Sequence, residues 1–182
     1  NDKGTSTSAT TSNSRLVGPA YEMPYTESFP EAKISNGPWV SEILSGKKID
    51  SEWAIRPDQS QDQDGGSADF CGYSTIGSSR ISSPKINISG IKNPRLNAWV
   101  LMPTGGTVVR FQISVNYGEW EDLATVDSAD KWTNVNLDLS AYQTGEIRIA
   151  FVGECLKAYN FAYVDNVEIR SYYDNNMKAT NI

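Results

Sequence analysis

Three carboxylates stand at positions where strand alternation asks for apolar side chains, and they are the residues here with chemistry to account for. In the segment YVDNVEI, Asp165 shares two-residue parity with Tyr163, Val167 and Ile169, which predicts a carboxylate turned toward the core. Glu27 shares parity with Tyr25 and Phe29, and Asp69 with Cys71 and Tyr73. An ionised carboxylate taken out of water costs several kcal/mol even after relaxation, a large part of the ~5–15 kcal/mol that keeps a domain folded. Each therefore needs a cation or several donors. Calcium suits such a set, because it takes about six to eight oxygen ligands and requires neither histidine nor thiolate. The expectation is one structural Ca²⁺ tying the N-terminal strand to the C-terminal strand, with Glu27 and Asp165 as main ligands and Asp69 as a third. The competing reading has each acid capping loop amides or pairing with an arginine at a strand end. Asp62 and Asp64 are spaced like calcium-loop ligands, but the Asp-x-Asp-x-Asp-Gly run with its closing Glu is incomplete, so a solvated loop is expected there.

Catalytic chemistry is narrowed sharply by composition. The chain has no histidine, which removes Ser-His-Asp and Cys-His catalysis and every histidine-ligated metal site. Its two cysteines, Cys71 and Cys155, lie too far apart for a zinc ribbon or redox CxxC motif; one disulfide or two free thiols remain open, with buried thiols favoured. Glu119, Glu121 and Asp122 crowd into GEWED, and a glycosidase needs two carboxylates about 5–10 Å apart in a cleft. That segment lacks the same-face alternation of an acid triplet, so a solvated hairpin is the expectation. No catalytic residue is assigned, and the chain is read as non-enzymatic. Sixteen basic against twenty-two acidic residues give a net charge of −6, which argues against nucleic acid and anionic membrane surfaces as partners. No apolar run approaches the ~18 residues of a membrane-spanning helix, so membrane insertion is not expected.

The elements that must position these residues are strands. A chain of 182 residues, 38% hydrophobic and 10% aromatic, is large and apolar enough for one packed core. Residues 1–20 open with a Ser/Thr-rich stretch, Asn1 to Ser14, that reads as linker, residues 21–171 as the domain, and residues 172–182 as a second linker. From Tyr25 onward, apolar residues recur with period two in short runs broken by Gly, Asn, Pro and Ser. The runs are Tyr25–Phe29, Glu52–Ile55, Ala68–Tyr73, Ser79–Ser83, Pro94–Met102, Val108–Ser114, Trp120–Val126, Thr133–Asp138, Glu146–Val152 and Ala162–Arg170. So many strands in so short a chain predict an all-β, two-sheet antiparallel sandwich. Turn chemistry is placed at Asp64-Gly65-Gly66, Thr104-Gly105-Gly106, Tyr117-Gly118 and between Leu137 and Gly145. Arg56 to Gly66 is the longest irregular stretch.

The order of these segments carries a resemblance. YTESFPE (Tyr25–Glu31), GPWV (Gly37–Val40), SEWAI (Ser51–Ile55), SSRISSPKINIS (Ser78–Ser89), ISVNYGEWEDL (Ile113–Leu123), KWTNVNLDLSAY (Lys131–Tyr142), IRIAFVG (Ile147–Gly153) and YVDNVEI (Tyr163–Ile169) together resemble the cleaved adhesin and choice-of-anchor J domains, and more distantly MAM domains. The resemblance implies a jelly-roll sandwich, concanavalin- or galactose-binding-like. It implies a structural calcium at the positions of Glu27 and Asp165. The family's tryptophans fall on Trp39, Trp53, Trp120 and Trp132, read as packing residues. WVLMPTGG at Trp99–Gly106 is shorter than the loop many relatives carry, so no binding function is expected of that loop. The opening segment resembles the end of a fibronectin type III domain, and DNNMKATNI a lead-in to a further domain. The resemblance thus implies a bead within a secreted or cell-surface Bacteroidetes protein, contacting host protein or glycan. An exposed aromatic group would mark such a surface, with Tyr159, Phe161 and Tyr172 as candidates beside Tyr173; the alternative is a spacer with no ligand of its own.

Overall fold

Strand alternation decides which side of each segment is buried, and twelve strands form on it among the described residues. The computed structural model describes residues 18–30, 34, 37–56 and 66–172. One sheet runs β10 (Ala129–Asp138), β7 (Pro94–Met102), β12 (Asn160–Ser171), β4 (Ser67–Gly72), β3 (Ser51–Arg56), with β1 (Tyr25–Glu27) also paired to β12. The other runs β2 (Val40–Ser45), β5 (Ser78–Ser82), β11 (Glu146–Cys155), β8 (Thr107–Val115), β9 (Glu121–Val126), with β6 (Ile86–Asn87) also paired to β11. Every pairing between these strands is antiparallel. The fold is the jelly-roll sandwich expected, and all ten predicted strands are present.

Apolar residues on the inner faces meet between the sheets. Leu96, Ala98, Val100 and Met102 of β7 and Ile147, Ile149 and Phe151 of β11 belong to one core. Phe151 stacks on Trp39 at 5.7 Å between ring centroids and meets Phe111 edge-on at 5.0 Å. Trp39 and Trp53 are core residues, as the packing reading holds, whereas Trp120 and Trp132 are half-buried. Gly105 and Gly106, both at positive φ, turn the chain from β7 into β8. Cys71 and Cys155 are free, buried thiols.

Parity misplaces Asp165. Ala162 and Val164 lie in the core, and so do Val167 and Ile169, so the alternation changes phase between them. The register of β12 on β7 shifts between Asp165 and Glu168, and Asn166 has φ 47°. This is a β-bulge, in which one extra residue moves the side chains that follow to the opposite face. Asp165 therefore lies opposite Trp99, on the outer face of the sheet, yet is fully buried. Asp69 is opposite Tyr163 and likewise turns outward, since Ala68 and Phe70 are its core-facing neighbours. Glu27 keeps the parity of core residue Tyr25, as expected.

Candidate ligand groove

The bulge also shapes the outer face of the first sheet. On one side, β7 pairs with β12 along nearly its whole length. On the other, β4 pairs with the first half, Asn160 to Val164, and β1 with the second, Val167 to Ile169. Over the second half lies a groove of about 810 Å³, lined from β7 by Asn97 and Trp99, from β10 by Asn134 and Asn136, and from β12 and its end by Glu168, Arg170 and Tyr172. Thr26, Glu27, Ser28 and Pro30 close one side. That volume is in the range of small-ligand sites, roughly 300–1,000 Å³.

Register places the lining side chains in two rungs. Trp99 is opposite Asn134 on β10 and Asp165 on β12; Asn97 is opposite Asn136 and Glu168. The second rung is linked by hydrogen bonds across three strands. Arg95 Nη1 donates to Asn136 Oδ1 (2.8 Å), and Asn136 Nδ2 donates to Asn97 Oδ1 (2.7 Å). Asn97 Nδ2 donates to the Tyr172 hydroxyl. Arg170 also reaches that hydroxyl (3.1 Å), covers the Tyr172 ring at 4.6 Å, and pairs with Glu168 at 3.2 Å. Such a network fixes amide and guanidinium orientations before any ligand arrives, which lowers the ordering cost of binding. Beside it, half-buried Trp99 supplies the aromatic surface.

Of the aromatic candidates, Tyr172 lines this groove. Tyr159 stands 74% exposed in the β11–β12 hairpin, and Phe161 lies opposite Cys71 on β4, away from the lining. Tyr173 lies outside the described residues, as do Asp62, Asp64 and, of the expected linkers 1–20 and 172–182, residues 1–17 and 173–182. Glu119, Glu121 and Asp122 are exposed on the other sheet, where Asp122 accepts from Gln112 Nε2 (2.6 Å). Trp99, Asn97, Asn134 and Asn136 escape sequence reasoning that looks for acids and exposed aromatics. The available signal was the outward half of the alternation: Asn97 and Trp99 between Leu96, Ala98 and Val100, and Asn134 and Asn136 around Val135.

The three acids are not gathered on one point. Glu27 accepts from the Phe29 amide (2.8 Å) and, with its other oxygen, from the Trp39 indole (3.0 Å). Burial, with the Glu27 carboxylate next, pushes the phenol of Tyr25 above its ordinary value, and Tyr25 shares that indole donor at 3.0 Å. Asp165 accepts from the Asn166 amide (2.7 Å), and Asp69 from the Ser67 hydroxyl. By the register of β12 on β4, Asp69 and Asp165 are diagonal neighbours on one face. No group of three or more acidic, thiol or imidazole side chains among the described residues is arranged to hold a metal ion. The chemistry at Asp69 and Asp165, all oxygen and fully covered, fits a hard cation in type, and all three acids accept from neutral donors.

No protein-family profile matches the chain, and no curated protein does. Solved structures match its fold. It is similar to the K3 cleaved adhesin domain of Lys-gingipain from Porphyromonas gingivalis W83, at TM-score 0.61 and 14% identity over 81% of this chain and 98% of that one. It is also similar to TmCBM61, solved in complex with β-1,4-galactotriose, at TM-score 0.58 and 15% identity over 80% and 99%. A third is the CBM22-1 xylan-binding domain of Paenibacillus barcinonensis Xyn10C, at TM-score 0.54 and 15% identity over 86% and 100%. At such identities the likeness is one of fold. Among the described residues no helix is long and apolar enough to cross a membrane.

Proposed function

We propose that this domain is a non-catalytic module that binds glycan in the groove over β7, β10 and β12. The observation that carries it is the pairing of Trp99 with the fixed ladder Arg95, Asn136, Asn97, Tyr172 and Arg170. A sugar ring has an apolar face of C–H groups and a rim of hydroxyls. The indole suits the first, and amides and guanidinium suit the second, because amides both donate and accept. The similar folds solved with β-1,4-galactotriose or described as xylan-binding support this choice of ligand class. On this reading the module serves a larger secreted or cell-surface protein. A glycan array probed with the full chain, beside Trp99→Ala, tests it: signals that fade with the substitution are expected, and a blank array would favour a spacer.

A structural calcium belongs to the same proposal, held by Asp165 and Asp69 with Glu27 as third ligand. Bound there, the ion would neutralise buried charge at the point where β12 exchanges β4 for β1, and it would serve stability. Glu27, which stands at the inward parity of Tyr25, would have to yield its bond to Trp39 and turn to the outer face to join. Calorimetric melting with and without EDTA checks this: a lower melting temperature in chelator and bound calcium by elemental analysis are expected. An unchanged melt and no calcium would remove the ion and leave the groove untouched.

A further inference from the structure

The outer face of the second sheet carries a cluster that the groove does not use. Alternation with core residues Ile147, Ile149 and Phe151 turns Arg148, Ala150 and Val152 outward, yet Ala150 and Val152 are fully buried. Neighbouring side chains close over them, so the face has an apolar floor. Half-buried Trp120, in the turn before β9, has the Arg80 guanidinium 4.7 Å and the Arg148 guanidinium 5.2 Å from its ring centroid. Arg80 is neutralised: it donates to Glu42 at 2.6 Å and to Gln112 at 3.0 Å. Arg148 donates to the Ser82 hydroxyl (2.6 Å) and the Ser83 carbonyl (3.2 Å), both neutral. Among the described residues no carboxylate forms an ion pair with it. Burial draws the Arg148 guanidinium below its ordinary value, and the more distant Glu42 only partly opposes this. Two guanidiniums thus share one carboxylate beside an indole.

We propose that Arg148, Trp120 and Arg80 form a second binding site, on the sheet opposite the groove, for a uronic-acid sugar. Its carboxylate would take the Nη1–Nη2 end of the Arg148 guanidinium, whose Nε and Nη2 edge is given to Ser83 and Ser82, and its ring would lie against the solvent-facing part of Trp120. An Arg–carboxylate pair is bidentate and stronger where water is partly excluded, which the apolar floor provides. One uncompensated guanidinium matches one carboxylate. The chain's net charge of −6 opposes denser polyanions.

The test titrates the full chain with trigalacturonic acid, neutral β-1,4-galactotriose and a heparin tetrasaccharide, following the indole N–H resonances of Trp120 and Trp99. Trigalacturonate is expected to shift Trp120 and to bind at least tenfold more weakly to Arg148→Gln and in 1 M salt. Arg148→Lys, which keeps charge and most packing but loses the fork, should weaken it severalfold, and Trp99→Ala should not change it. No shift of Trp120 at millimolar trigalacturonate would overturn the proposal, as would unchanged binding by Arg148→Gln or Arg148→Lys. Binding of heparin alone would replace the carboxylate with sulfate and overturn it too. The galactotriose arm reads the groove separately, so failure at one site is distinguishable from failure at the other.

Discussion

The two sheets present the same kind of inner face and quite different outer ones. The first carries asparagines, a tryptophan and a tyrosine along a groove, with Asn136, Asn97 and Tyr172 linked by hydrogen bonds across it. The second carries Arg80 and Arg148 stacked on Trp120 beside a covered floor of Ala150 and Val152, and elsewhere Lys85 5.8 Å from the Tyr117 ring. Inward residues are aliphatics and a few interlocked aromatic rings, Trp39, Phe111 and Phe151 among them, whose task is to fill the space between the sheets. Outward residues are free of that task, and the difference between the faces shows that recognition is written in the half of each strand the fold does not need.

The largest expected effect strikes both faces at once. Phe151→Ala removes the ring that joins Trp39 to Phe111 and should cost about 3–5 kcal/mol, lowering the calorimetric melting temperature on the order of 10 °C. If only one face lost its ligand, the common core would not be what supports them. Next comes Trp99→Ala, expected to weaken glycan binding in the groove tenfold or more, about 1.4 kcal/mol or above, with little change in melting. An equal loss of trigalacturonate binding would break the contrast between faces. Asn136→Ala deletes two links of the ladder and should cost about 1 kcal/mol of binding, read as a several-fold weaker constant by titration calorimetry. Smaller in effect is the behaviour of Cys71, an outward residue that is nevertheless buried and whose thiol burial pushes up, Arg56 pulling partly back. It should stay un-ionised at neutral pH and resist a disulfide reagent until the chain is unfolded. Rapid native reaction would show that the open surface extends across β4. Smallest is Ile43→Thr on the exposed edge strand β2, expected within about 0.5 kcal/mol of the parent by denaturant melting.

The strands were readable because one side of each is buried. Pro94–Met102 matches β7 end to end, and its alternation of Leu96, Ala98 and Val100 with Asn97 and Trp99 survives unchanged. Two strands were not readable. In β2 five of six residues are exposed, so no alternation is imposed on its sequence, and β6 is two residues long. The burial of Asp69 and Asp165 was legible as misplaced charge, but its direction was not, since a bulge leaves no periodic trace and reverses the side on which Asp165 stands. The groove was legible only in part. Tyr172 could be picked as an aromatic near a strand end, whereas Asn97, Asn134 and Asn136 acquire meaning only when register brings β7 and β10 side by side.

The most direct test of the groove is a ¹⁵N-resolved titration of the full chain with xylohexaose and β-1,4-galactotriose. At least one of them is expected to shift the Trp99 indole and the side-chain amides of Asn97, Asn134 and Asn136 together, leaving the Trp120 indole in place. Silence from both sugars at millimolar concentration, or shifts gathered anywhere but this face, would contradict glycan binding in the groove.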